Sequence, residues 1–298
     1  GSGSDASTDA KAVTTQTTVV AESTQTMAPE QAVAQLQESD QAAASRTASL
    51  LGLDQALQSA LPSTPTVEDL QGVLDQVERQ GLGISPAVLQ VRFTSSSSDN
   101  AQDGFLDLTL ISSKAPVQAR RLTVDRKRFA GLLKALYRQL SRQESLAVDD
   151  PTSPTRQLHA LLVAPIQDAL QGQGIQTLLI AADQGLQAVP FAALSDGSGF
   201  FGLDYAFGLT PSLALTPLAP AQSSPTGQLA LGASEFEGLA PLPLVPQELE
   251  QLDASTGADR YLNEDFSPQA LLTGASDQRY SRVHVATHAD FRPGGPTN

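Results

Sequence analysis

The chain has 298 residues, 40% of them hydrophobic, which is enough for one large core or two smaller ones. Its formal charge of −14 argues against nucleic acid or an anionic membrane surface as the main partner, because phosphate binding needs clustered Lys and Arg. There is no cysteine, so disulfides, thiolate metal sites and a cysteine nucleophile are excluded within these residues, and no apolar run is long enough to be a membrane span.

Residues 1–28, GSGSDASTDAKAVTTQTTVVAESTQTMA, are rich in Ser, Thr, Ala and Gln and lack sustained apolar periodicity. Such a segment cannot offset its ordering entropy and is expected to be a disordered tether, its first four residues reading as a linker or cloning remnant. Residues 29–82 are expected to be a helical segment. Over residues 29–61 the Ala, Gln and Leu content favours helix, but the apolar face is thin until SLLGLDQALQSAL (49–61), so a helix there needs a partner surface. The stretch 66–80, TVEDLQGVLDQVERQ, is clearer. Thr66 suits the cap, Glu68 and Asp69 suit the positive helix end, and Leu70, Val73, Leu74 and Val77 share one face before Gly81.

Residues 83–150 read as a small antiparallel β-meander followed by a helix. The strands are PAVLQVRF (86–93), GFLDLTLIS (104–112) and VQARRLTV (117–124). In the helix, Phe129, Leu132, Leu133, Leu136, Tyr137 and Leu140 fall at helix-face spacing. Arg120, Arg121, Arg126, Lys127 and Arg128 read as a solvated strand-to-helix corner.

From 151 to 298 the pattern alternates. Leu158, Leu161, Leu162, Ile166 and Leu170 share a helix face that Pro165 kinks or splits, and His159 reads as an ordinary surface histidine. A buried strand, QTLLIAA (176–182), precedes DQGLQAVPFAALSDGSGFFG, read as a tight turn, a short strand and a Gly-rich loop. Then come a strand and a Pro-started helical turn in DYAFGLTPSLALTPL, and a strand in QLALGAS (228–234). A helix with Pro246 in its first turn, a helix capped by Ser267 with Pro268 behind it, and a last strand, RVHVAT, complete the series. Apolar strands flanked by helices imply an α/β fold with a mainly parallel sheet.

No glycine-rich phosphate loop, dinucleotide fingerprint or serine elbow is present, so no cofactor is expected. His284 and His288 lie on an extended segment, where four residues span about 13 Å, too far for one metal ion; no metal site is expected. His288 ends a buried strand, where open α/β sheets place their ligand crevices. Spacing alone favours the plainer reading, a strand-end histidine bonded to a neighbouring loop.

RVHVATHADFRPGGPTN resembles the histidine motif of the CHAT family, caspase-like peptidase domains often fused to tetratricopeptide repeats. TLLIAADQGLQAVPFAALSDGSGFFGLDYAFGLTPSLAL resembles that family's first strand, its D-x-x-L-x-x-[LV]-P-[FL]-x-A-L segment and the next strand. LALGASEF with PLPLVPQELEQL, and then YLNEDFSPQALL, resemble the strand–helix elements that follow. The resemblance implies a caspase-like sheet, incomplete here, over 151–298 and a Cys/His dyad in which His288 is the histidine. It also implies an oxyanion-hole N–H near Ala289, where caspase relatives usually have Gly, and a structural role for His284. A carboxylate at Asp183 would suit an Arg or Lys side chain of a substrate; the alternative is an Asp that merely initiates a turn. In the family the nucleophilic cysteine follows on the next strand, so this sequence reads as cut inside the catalytic domain.

The function implied is the N-terminal portion of a cysteine endopeptidase acting on protein or peptide substrates, with an activating protein partner and an extracytoplasmic or secreted bacterial setting. The alternative is a catalytically inactive scaffold that keeps the fold and binds a protein partner.

Overall fold

The computed structural model describes residues 21–50, 52, 55–59, 61–81, 83–95, 103–183, 185–218, 227–276 and 280–289. Its first elements are β1 (Ala21–Thr26), α1 (Pro29–Leu50), α2 (Gln55–Ser59), α3 (Val67–Arg79), β2 (Pro86–Ser95), β3 (Asp103–Ser112), β4 (Gln118–Asp125) and α4 (Arg126–Ser141). There follow α5 (Pro154–Leu162), α6 (Ala164–Gly172), β5 (Thr177–Ala182), α7 (Phe201–Asp204), β6 (Ala206–Thr210), β7 (Gly227–Gly232), α8 (Val245–Thr256), β8 (Asp259–Leu262), α9 (Pro268–Ser276) and β9 (Tyr280–Ala286). The chain divides into two compact units, Gly1–Leu218 and Ala219–Asn298. Parallel strands flanked by helices make it a mixed α/β protein consistent with a caspase-like architecture.

In the first unit, six strands form one sheet in the order β1-β4-β3-β2-β5-β6. The meander β2-β3-β4 is antiparallel, as its sequence implies, but it is not a separate layer: β2 also pairs with β5 in parallel, Pro86 opposite Thr177 through Val91 opposite Ala182. The reason is burial. The first seven residues of β2 are all buried, so it behaves as a central strand that needs a neighbour on each side.

Strand alternation sends the apolar residues of this sheet to two cores. Leu89, Val91, Leu106, Leu108, Leu122, Leu178 and Ile180 face the helix layer of α4, α5 and α6, whose Phe129, Leu136, Leu158, Leu161 and Ile166 complete the larger cluster. Val88, Ile111 and Ala181 face the other way, against Leu36 of α1 and Val67, Leu70 and Leu74 of α3. Each fully buried Leu contributes about 1.5–3 kcal/mol relative to exposure. Pro165 does split the helix run: α5 ends at Leu162 and α6 begins at Ala164. Thr66 caps α3 reciprocally, its hydroxyl accepting from the Asp69 N–H while the Asp69 carboxylate accepts from the Thr66 N–H.

Two expectations need correction here. The tether expected over 1–28 gives way at Ala21–Thr26 to β1, which pairs antiparallel with β4; residues 1–20 lie outside those described. A polar sequence suffices because an edge strand is held by main-chain hydrogen bonds, and buried Met27 anchors its end with an N–H to the Ala119 carbonyl at 3.1 Å. Arg121 is also no solvated corner residue. It grips Asp107 through two bonds of 2.7 Å, and Asp107 is 2% exposed. That hydrogen bond raises the Arg121 pKa above its already high value. Arg92 adds a 3.5 Å contact to the same carboxylate and donates to the Gln35 side chain of α1 at 2.9 Å. The sheet therefore meets α1 through polar pairs as well as apolar ones.

The second unit holds a three-stranded, wholly parallel sheet with β7 between β8 and β9. Its core is Ala230, Val245, Leu249, Ala258 and Ala286, with α8 packed on β7. A Cβ at Gly232, the last residue of β7, would stand 2.7 Å from Val245 Cγ1 and 3.2 Å from the Ala286 carbonyl. Glycine there allows α8 and β9 to close on the strand end. Helix α8 stops at Gly257 in the left-handed conformation, and Ser267 caps α9, accepting the Ala270 N–H at 3.1 Å.

Candidate active site

His288 stands two residues beyond the end of β9, an extended strand whose Leu231–Val285 and Gly232–Ala286 pairings with β7 fix where it emerges. The side chain is exposed, yet it is held. Nε2 lies 2.7 Å from the Ala240 carbonyl oxygen, and the ring packs edge-on against Phe236 with centroids 4.7 Å apart. A carbonyl oxygen only accepts, so Nε2 carries the hydrogen and the neutral ring keeps its lone pair on Nδ1. The expected result is a two-dimensional 15N spectrum in which His288 Nε2 is protonated and Nδ1 is not; the reverse tautomer would contradict this geometry. Ala289, the next residue, is exposed.

His284 sits within β9 and faces α8, with Nε2 2.8 Å from Glu248 Oε1. It ties a strand to a helix. Among the described residues no group of three or more His, Asp or Glu side chains is arranged to hold a metal ion, and no helix is long and apolar enough to cross a membrane.

Asp183 directly follows β5 in the first unit. Its N–H continues the ladder to the Val91 carbonyl at 2.9 Å, and its own carbonyl accepts the Leu186 N–H at 2.9 Å, which closes a turn. Its carboxylate takes a 2.7 Å bond from the Arg46 guanidinium of α1. Four of the other motif positions point inward: Leu186, Val189, Phe191 and Leu194 are in the larger core, while Pro190 and Ala193 are half-buried. Their spacing is thus a packing requirement. The stretch holds a 3-10 turn at Phe191–Ala193 and a single bridge between Ser195 and Phe200, not the short strand expected, because its inward residues need a tight, irregular path.

Asp183 and His288 belong to different units. The sequence did not foretell Arg46, Ala240 or Phe236, and it could not readily have done so. Arg46 is 137 residues from Asp183 and Ala240 is 48 residues from His288, so no local spacing announces either pair.

His159 also departs from expectation. It is 7% exposed on the inward side of α5, near Asp196 and Arg156. Burial lowers its pKa below the ordinary 6.5, opposed by the Asp196 charge and reinforced by that of Arg156. A histidine that resists protonation when folded binds fewer protons than it does unfolded, so stability falls as pH drops below about 6.5. We expect the urea midpoint to decrease between about pH 7.5 and pH 5, and His159→Gln to remove part of that slope. An identical slope in the variant would contradict this.

The family model described as CHAT domain matches residues 152–298. No curated protein and no solved structure matches the chain.

Proposed function

Residues 152–298 belong to the CHAT family, and on that premise we propose that this part of the chain supplies the histidine of a Cys/His dyad in an endopeptidase acting on protein substrates. The observation that carries the reading is the bond between His288 Nε2 and the Ala240 carbonyl. It leaves Nδ1 as the nitrogen with the free lone pair, and the carbonyl stabilises the imidazolium that forms when Nδ1 takes a proton. A thiol delivered there would lose its proton to Nδ1 and attack a peptide carbonyl. The resulting oxyanion would be met by the N–H near Ala289, and Nδ1–H would then protonate the leaving amine. The 298 residues contain no cysteine, so the thiol in this scheme is not among them.

For specificity, we assign Asp183 to a basic side chain of the substrate. The assignment rests on the family resemblance and on the fit of a carboxylate to a guanidinium, and Arg46 of α1 already takes that place at 2.7 Å. Arg46 would have to swing aside for a substrate Arg to take its place.

The test is cleavage of a mixed peptide library by a protein that joins this chain to the family's cysteine-bearing strand. Cuts after Arg and Lys, weakened in Asp183→Asn, are expected. No cleavage, with a reactive thiol present, would favour the second reading, an inactive scaffold that binds a protein partner. That reading draws on the same bond: a ring held by a carbonyl and an aromatic edge is also a good structural anchor.

A further inference from the structure

A second group of polar side chains, which does not include His288, lines a cavity of its own. Between α5, α6 and the loop before α7 lies a cavity of about 420 Å3, within the first unit. His159 lines it. None of the described residues hydrogen-bonds to that ring, although it is more than nine-tenths buried. Its ring nitrogens are not sealed from solvent: they reach the cavity, where water meets them until a ligand's polar group takes its place.

The groups facing this imidazole select the ligand. Asp196 lines the same cavity, its Oδ1 accepting the Ser198 hydroxyl at 2.8 Å and the N–H groups of Ser198 and Gly199 at 2.7 and 3.1 Å. Those bonds, the Ser198 hydroxyl first, hold its pKa down to about 2, so it remains an anion. Asp204 stands at the exposed rim. Tyr205 forms a wall, stacked on Phe201 with centroids 4.8 Å apart, and burial first, then Asp204 and Asp196, raise its pKa so that the phenol stays protonated. Arg156 donates to the Val148 carbonyl at 2.8 Å but keeps its charge, which offsets part of the field of the two carboxylates. Two carboxylates, a neutral imidazole and an aromatic wall form a recognition set for a positive charge.

We propose that the cavity bounded by His159, Asp196, Asp204 and Tyr205 binds a small organic cation, an ammonium or guanidinium compound, whose charge meets the carboxylates while its remaining polar group meets the His159 ring.

The experiment uses the full 298-residue chain with agmatine, which carries both cationic groups, as the probe. The His159 Cε1–H signal, assigned by its loss in His159→Gln, is followed during the titration. A saturable shift is expected, with Kd at least tenfold weaker in Asp196→Asn. Asp196 also orders its own loop, so the exposed Asp204→Asn serves as the second variant and should weaken binding at least threefold. No saturable shift at His159, or an unchanged Kd in both variants, overturns the proposal. So does tighter binding of inorganic phosphate than of agmatine.

Discussion

In a protein that carries this chain together with the family's cysteine, His288→Ala is expected to lower kcat for peptide cleavage by about 100- to 10,000-fold with little change in KM. The magnitude follows from what the ring does. Nδ1 is the only nitrogen left to take a proton, because Nε2 is committed to the Ala240 carbonyl. Removing the ring therefore removes the base that generates the thiolate and the acid that releases the amine, but no group that holds the substrate. Phe236→Ala should have a smaller effect on kcat, since the carbonyl still orients the ring after its aromatic edge contact is gone. Steady-state kinetics on one peptide substrate checks both. An active His288→Ala enzyme, or a loss that appears in KM alone, would contradict the assignment.

The second large effect is structural. Asp40→Ala is expected to destabilise the first unit by about 3 kcal/mol or more, read as a lower urea midpoint by circular dichroism. Asp40 is a buried carboxylate on α1, only 2% exposed. It accepts the Leu213 and Ala214 N–H groups at 2.6 and 3.0 Å, the Ser212 hydroxyl at 3.0 Å and the Thr64 hydroxyl at 2.8 Å. Alanine would strand the buried Leu213 N–H and Ser212 hydroxyl, leave the Ala214 N–H with only the Ser212 oxygen and the part-buried Thr64 hydroxyl to water, and would loosen α1 from the segment after β6. Asp40→Asn keeps one acceptor oxygen and should lose less. A change below about 1 kcal/mol for the alanine variant would mean that solvent replaces the carboxylate.

How much of this was legible in the sequence depended on the range of the interaction. The Thr66 cap, the Pro165 break and the Ser267 cap are decided within a few residues, and each is where its sequence places it. The inward leucines of α5 and α6 follow helical spacing and were equally readable. What distance concealed were the partners. Arg121 looks solvated in a run of basic residues until β3 brings Asp107 beside it, and His159 looks exposed beside Gln157 until Asp196 and Phe201 enclose its side of α5. The same holds for the sheet: three strands with polar turns announce a meander, but only complete burial of β2 makes it join β5. At the candidate site, the strand that delivers His288 could be read from RVHVAT, whereas the Ala240 carbonyl that sets its tautomer could not.

Covalent capture tests the central claim most directly. An acyloxymethyl ketone peptide ending in Arg should form one adduct on the cysteine of the joined protein, detected by mass spectrometry, and His288→Ala should fail to form it. Equal labelling of the two proteins would contradict a dyad role for His288.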